Sequence, residues 1–419
     1  MTDLGGCPRV PLSDPRFHAD PAALYQDLRR DHGAVVAVEL PGGVPAWLVI
    51  GYRELHQVTS DPDLFPRDAR LWNQREVGRP EWPMPSMAGP PTPSITGTAG
   101  GEHRRHVGMV EPSLEAVDPH ELRRTCEELA DQLIDAFCGR GDADLVSEFA
   151  RPLPVLALAR VLGFPNADGP QLHGTLATIA HGGTDAKVAY QAFAAHTKRL
   201  LAAKRSRPGR DLASRMLSHP AALSDEEVVL DLMAVILAGH LTTADWIANS
   251  VRLMVADDRF AAAFGGRRSI GQAMNEALWE DTPVQVVAGR WAARDAVLGG
   301  RGIRAGDLLL LGLAGANADP HVRRHLADGG APAAGNSAHF AFGYGEYRCP
   351  FPAQEIAEVI AQTGIEVLLD RLPDLDLAVP AADPARRPSA FQRGMTALPV
   401  RFMPVRALGA TAEAAQPHP

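Results

Sequence analysis

A single cysteine, Cys349, closes the loop in "HFAFGYGEYRCPFPAQ" (residues 339–354), with Gly343, Gly345 and Arg348 before it and Pro350 and Pro352 after it. Glycine reaches backbone conformations closed to other residues, so the loop can turn sharply or lie flat against a planar group. The prolines suit the first turn of a helix, "AQEIAEVIAQTGIEVLLDRL", that follows at once. Cys349 is therefore expected at a helix N-terminus, where the positive dipole end and free N–H groups favour a thiolate. A thiolate is a nucleophile or a metal ligand. Nucleophilic catalysis needs a base, and the sequence does not place His339 or His240 beside the thiol, so an inert structural cysteine also stays open.

The second stretch with chemical content is "LAGHLTTADW" (residues 237–246), inside a long helical pattern from about Ser224 to Asp257. Gly239 costs about 1 kcal/mol relative to alanine in mid-helix, and Thr242 and Thr243 can bond back to preceding carbonyls. A bent or widened turn that makes room for something small is expected. A notch of small residues where another helix crosses is the competing reading. Ser224 with Glu227 three residues on is a capping box that starts this helix.

Other elements must position these two stretches. The first 65 residues read as a helix ("PAALYQDLRRDHG"), two strands ("AVVAVEL" and "AWLVIG") joined through "PGGVP", and a short helix ("YRELHQVTS"). Residues 71–101, rich in proline and glycine, read as a long functional loop. Helical periodicity dominates residues 120–260, including "HELRRTCEELADQLIDAF", "PLPVLALARVLG" and "VAYQAFAAHTKRLLAAK". There is no internal repeat and no linker. The expected fold class is mainly α with a minor β-sheet, as a single large domain over residues 1–406 with a frayed tail over 407–419.

Composition narrows the function. The chain has 419 residues, 46% of them hydrophobic and 22% charged, which is globular composition with room for a sizeable core. A net charge of -9 argues against a nucleic-acid partner. The four cysteines, Cys7, Cys126, Cys138 and Cys349, show no framework of close spacings, so a reducing cytoplasm is expected, with Cys126 and Cys138 as small core residues. The N-terminus has no signal-peptide pattern, and "VVLDLMAVILAG" (residues 228–239) falls short of a membrane span, so a soluble protein is expected. His103 with His106, and His321 with His325, have spacings that could hold a metal, but solvated surface histidines are the expectation.

Taken together, these motifs resemble the cytochrome P450 superfamily, of the soluble bacterial, actinomycete-like type. The resemblance runs from "DPAALYQDLRRDHG" through "GGEHRRHVG", "NEALWEDTPVQ", "GRWAARDAVLGGRGIRAGD" and "ANADPH" to "RGMTALPVRF", in the family's order. It implies a helical haem b protein with the Cys349 thiolate as axial ligand to iron. It puts Gly239 and Thr242 at the oxygen pocket and Phe342 and Gly343 against the cofactor. His103 and Arg290 match the positions that hold the haem propionates. Residues 71–101, 165–195 and 389–396 would line the substrate pocket. The implied activity is monooxygenation of an apolar small molecule of secondary metabolism, with electrons from a ferredoxin and its reductase and no membrane partner.

The chain departs from the family pattern at several positions. The family's Glu-x-x-Arg reads Glu276-Ala277-Leu278-Trp279, and an indole cannot form the bidentate pair that a guanidinium makes with a carboxylate. Glu276 then needs Arg290 or Arg294 as partner, or sits nearer solvent, or takes up a proton. Leu241 stands where an acid usually precedes the threonine, Tyr347 where a histidine or arginine precedes the cysteine, and Val107 where an arginine follows His103. Phe351 and Pro352 are bulky where a glycine is usual, close to the expected haem face, and the segment before "HFAFG" is short. A subset of actinomycete members is similar in its tryptophan and its "CPxPA" run. These changes keep two alternatives alive: haem chemistry other than monooxygenation, and a degenerate, non-catalytic auxiliary partner protein.

Overall fold

Helices and three small β-sheets make up the computed structural model, which describes residues 9–74, 92–221, 223–256, 267–323, 336–380 and 385–410. The mainly α class with a minor sheet is what is found. The chain forms two compact units: residues Met1–Arg105, Leu278–Cys349 and Arg386–Arg393 in one, and His106–Ala277, Pro350–Ala385 and Gly394–Pro419 in the other. Each is assembled from separated stretches, so no linker shows in the sequence. Cys7, His325, residues 75–91 of the long loop and residues 411–419 of the tail lie outside the described residues.

The first unit is built on a five-stranded sheet in the order Val10–Pro11, Val35–Leu40, Val44–Val49, Leu308–Gly312, Val286–Trp291. The expected hairpin is present, with Val35 opposite Val49 and Leu40 opposite Val44. Alternation along these strands makes two apolar faces. Val36, Val38, Leu48 and Leu310 pack with Leu24, Tyr25 and Leu28 of the helix Pro21–His32. Val35, Ala37, Val49 and Leu311 pack with Leu55 and Val58 of the helix Tyr52–Ser60, and with Phe65 and Phe340. The edge strand shifts register between Val287 and Arg290, and Gly289 at the shift has φ 107°. Such a bulge re-aims the residue that follows it. Here that residue is Arg290.

The second unit is helical, with a small sheet of Asp142–Asp144, Pro399–Arg401 and Asp376–Leu377. Its centre is the helix Asp225–Ala256, which packs on Pro152–Leu162 and on Phe351–Arg371; the latter packs in turn on Pro119–Asp135. The capping box forms as expected: Glu227 N donates to Ser224 Oγ at 3.3 Å, and Ser224 N donates to Glu227 Oε2 at 2.7 Å. Taken whole, Asp225–Ala256 is long and apolar enough to cross a membrane by length and composition, which the twelve-residue stretch alone did not suggest. Val228, Leu232, Ile236, Ile247 and Val251 are nevertheless buried inside the protein, as befits a core helix. Cys126 and Cys138 are free and buried. Residues Leu408–Ala410, expected to be frayed, form a short helical turn held by Leu408 N and Gly409 N on the Asp135 carboxylate.

The histidines of "GGEHRRH" are not on the surface. His103 is 3% and His106 1% exposed. His106 Nδ1 lies 2.5 Å from the Oδ2 of Asp231, which is fully buried in the central helix, and Nε2 lies 3.7 Å from Glu227 Oε1. Removing one partner of a buried hydrogen bond leaves the other unsatisfied. Asp231→Ala should therefore cost about 1 to 3 kcal/mol, read as a fall in the urea midpoint with an unchanged slope.

Candidate active site

The cysteine loop belongs to the first unit. Gly343 N donates to Phe340 O at 2.8 Å, Arg348 N to Gly345 O at 3.2 Å, and Cys349 N to Phe342 O at 2.9 Å, which winds the loop so that the cysteine returns over Phe342. Gly343 and Gly345 have φ of 72° and 75°, the left-handed conformation that the glycines were expected to supply. At Gly345 space also forbids anything larger, since a Cβ would fall 2.0 Å from Thr59 O. Pro350 follows as the cap residue of the helix Phe351–Arg371, with Pro352 in its first turn. Phe351 begins this helix and is 58% exposed.

The thiol differs from the sequence expectation. A thiolate favoured by the helix end was expected; instead burial pushes the Cys349 thiol up to about 12, with Arg348 pulling only weakly the other way. Desolvation disfavours the charged form of the thiol. A neutral thiol of this kind is a poor nucleophile. His339, in the same loop, is pushed by burial down to about 4 and stays neutral. A cation bound directly to sulfur would offset the desolvation and hold the thiolate. Among the described residues no group of three or more His, Cys, Asp or Glu could hold a metal, so a metal on Cys349 has to bring most of its ligands with it. A porphyrin does that.

The segment before the cysteine is tied down by residues of the first unit. Asn317 of "ANADP" is fully buried: Nδ2 donates to Leu278 O at 3.1 Å, and Oδ1 accepts from Phe340 N at 2.8 Å. Tyr52 Oη donates to Ala338 O at 2.6 Å, and its ring packs 4.7 Å from that of Phe340. Trp279 Nε1 donates to Asn336 O at 2.9 Å; its ring meets His339 edge-on at 5.7 Å, and His339 in turn lies 6.2 Å from Phe342. The indole at the family's arginine position is thus a brace for the cysteine loop. Glu276 is 3% exposed, so the solvent-facing alternative drawn from the sequence is not taken.

A cationic cluster lies at the other side of the loop. Arg290, 2% exposed, places its guanidinium carbon 4.2 Å over the centre of the Tyr347 ring and donates to Phe65 O at 3.3 Å. Arg67 lies over the same ring at 5.3 Å, and His103 packs on it at 4.6 Å. Burial pushes Arg290 down to about 9, with Arg67 as the second cause. Among the described residues, neither arginine pairs with a carboxylate. A buried cation such as Arg290, with half-buried Arg67 beside it, fits an anionic group that is brought in from outside the chain. His103 itself faces two backbone carbonyls, Ile95 O at 3.0 Å from Nδ1 and Glu346 O at 3.4 Å from Nε2.

Gly239 and Thr242 belong to the second unit. The long helix stays α-helical through both, without the widened turn that was expected. Thr242 Oγ1 does bond back, to Ala238 O at 2.6 Å, as its type predicts. A Cβ on Gly239 would sit 3.1 Å from Leu158 Cδ1 on the helix Pro152–Leu162, so the small-residue notch is realised. Leu241 is buried and brings no proton-carrying group. His240 is buried and pushed down to about 4, chiefly by desolvation and then by His173 and Arg151. Two groups had no sequence signal of their own: Arg67, which sits in no motif, and the pair of His240 with His173, which requires two helices to meet.

No family model matches the chain. It is 30% identical over 387 residues to cytochrome P450 105C1 of a Streptomyces species, covering 91% of this chain and 95% of that one. Among solved structures, CYP154C4 from Streptomyces sp. W2061 superposes with a TM-score of 0.82 at 27% identity, over 94% of this chain and 98% of its own. The myxobacterial CYP267B1, in complex with myristic acid, superposes with a TM-score of 0.80 at 28% identity, over 93% of this chain and 98% of its own. With a relative at this identity over nearly its whole length, the chain belongs to the cytochrome P450 family of bacterial haem b monooxygenases.

Proposed function

We propose that the protein inserts one oxygen atom of O2 into an apolar small molecule of secondary metabolism, drawing electrons from a ferredoxin and its reductase, as a soluble cytoplasmic enzyme whose residues 1–406 act as one haem domain. The observation that carries this reading is the half-buried, desolvated Cys349 thiol, whose charged form is favoured by a metal, in the same unit as the buried Arg290 guanidinium, which is favoured by an anion. Bound haem b supplies a redox iron that activates dioxygen, and a thiolate ligand favours O–O cleavage.

The chain's own residues have distinct tasks in this reading. Cys349 ligates iron through sulfur, held in place by its N–H on Phe342 O, with Phe342 and Gly343 against the cofactor's flat face. Arg290 and His103 serve the propionates, His103 after releasing Glu346 O. Gly239 and Thr242 border the oxygen pocket. With its hydrogen committed to Ala238 O, Thr242 Oγ1 offers lone pairs and accepts a hydrogen bond from a donor in that pocket. Leu241 supplies no acid, so protons reach the pocket by another route, and uncoupled electron use is expected to be appreciable. Residues 165–195 and 389–396, with the loop 71–101, bound the substrate. The CYP267B1 complex with a fatty acid supports an apolar ligand. The auxiliary-protein alternative is not favoured, since a degenerate pocket has no need to keep both a desolvated thiol and a buried Arg290 that no carboxylate of the described residues meets.

Two outcomes follow. Cys349→Ala should abolish thiolate-type absorption of the purified haem protein, and Thr242→Ala should raise the peroxide released per electron consumed by roughly tenfold, while its reduced haem keeps that absorption. An unchanged spectrum in the first variant would sink the ligand assignment. If Trp279 braces the loop, Trp279→Ala should cost about 3 to 5 kcal/mol and lower haem content, whereas Trp279→Phe, which keeps a ring against His339, should lose less than half as much in chemical denaturation.

A further inference from the structure

Arg67 is the one member of the cationic cluster with no role so far, and its surroundings do not account for it. Among the described residues its one hydrogen bond is to Tyr347 O at 3.5 Å, the limit for such a contact, although a guanidinium has five donors. The acids nearest to it along the chain and in the loop are engaged elsewhere. Asp68 is bidentate with Arg70, at 2.8 and 2.9 Å, and Glu346 faces Arg104 at 3.4 Å. A half-buried arginine kept only for packing would have more of its donors satisfied by carbonyls or carboxylates. This one lies beside the buried guanidinium of Arg290, and desolvation pushes it below the usual arginine range. The shared element between them is the Tyr347 ring, which carries no charge and receives both cations within cation–π distance.

We propose that Arg67 is a second anchor for the carboxylates of the haem, acting beside Arg290, and that the Tyr347 ring is the positioning surface that fixes both guanidiniums. This rests on the haem reading above. Two like charges close together repel unless something between them returns energy to each, and an aromatic ring stacked against both does so without neutralising them for the incoming anion. A histidine or arginine at position 347 would have added a third cation to a crowded site. The tyrosine in its place, together with Val107 in the helix Gly100–Glu115, leaves Arg67 to restore the lost charge.

The test uses reconstituted holoprotein and follows haem transfer to excess apomyoglobin together with the reduction potential. Arg67→Gln should lose haem roughly ten- to a hundredfold faster than the wild type, the equivalent of one charged hydrogen bond. Its potential should fall, because a nearby positive charge stabilises the added electron. Arg67→Lys, which keeps the charge but not the planar stack, should fall between the two. Tyr347→Phe should retain haem as the wild type does, and Tyr347→Leu should lose it as fast as Arg67→Gln. Transfer rate and potential both unmoved in Arg67→Gln, with thiolate absorption intact in the wild type, overturn the proposal and leave the ligand assignment standing. Absence of thiolate absorption in the wild type instead overturns the haem reading itself. Thermal unfolding of the apoproteins separates a third case: an apoprotein destabilised as much as the holoprotein, with an unmoved potential, makes Arg67 structural and defeats the proposal.

Discussion

A sulfur atom removed from water can carry its charge only against a cation in contact with it, and that constraint organises the first unit. Desolvation pushes the Cys349 thiol up to about 12, with Arg348 pulling only weakly the other way. The surrounding structure is consistent with a thiol that waits for a metal. Left-handed glycines bring the backbone round, Asn317 ties Phe340 to the helix that ends near Leu278, and Trp279 and Tyr52 fix the segment that leads in. A loop held this firmly presents its sulfur at one place, which is what a rigid planar cofactor requires.

The second constraint is the mirror image of the first. Arg290 is buried where no carboxylate of the described chain meets it, and it is aimed there by a bulge at Gly289 in an edge strand. Buried cations are unfavourable alone and favourable with an anion, so the cluster around Tyr347 stores binding free energy for a partner that carries carboxylates. In the proposed function the thiol and the arginines would serve different parts of one molecule, its iron and its acids.

Local chemistry was readable from the sequence where it depends on neighbours along the chain. The capping box at Ser224 and Glu227, the hairpin of residues 35–49, the glycine turns before Cys349 and the back-bond of Thr242 are all set within a few residues, and all are present. Features that require distant segments to meet were not readable. His103 and His106 look like surface histidines in a charged run, but helix geometry puts them inside, His106 against Asp231. Trp279 looks like a defect in a motif until Asn336 and His339 are placed beside it. Desolvation of Cys349 is likewise a property of what surrounds the loop and not of its residue types. Gly239 shows the reverse error, since a widened turn was expected where an ordinary helix packs closely on Leu158.

The central claim is that Cys349 is the thiolate ligand of haem iron, and one spectrum addresses it directly. The purified, haem-loaded protein is reduced and exposed to carbon monoxide. A strongly red-shifted Soret band means that the thiolate lies on iron in spite of Trp279, Tyr347 and Phe351. A haem-loaded protein whose band lies where a nitrogen ligand puts it, or a protein that takes up no haem when the precursor is supplied, contradicts the account.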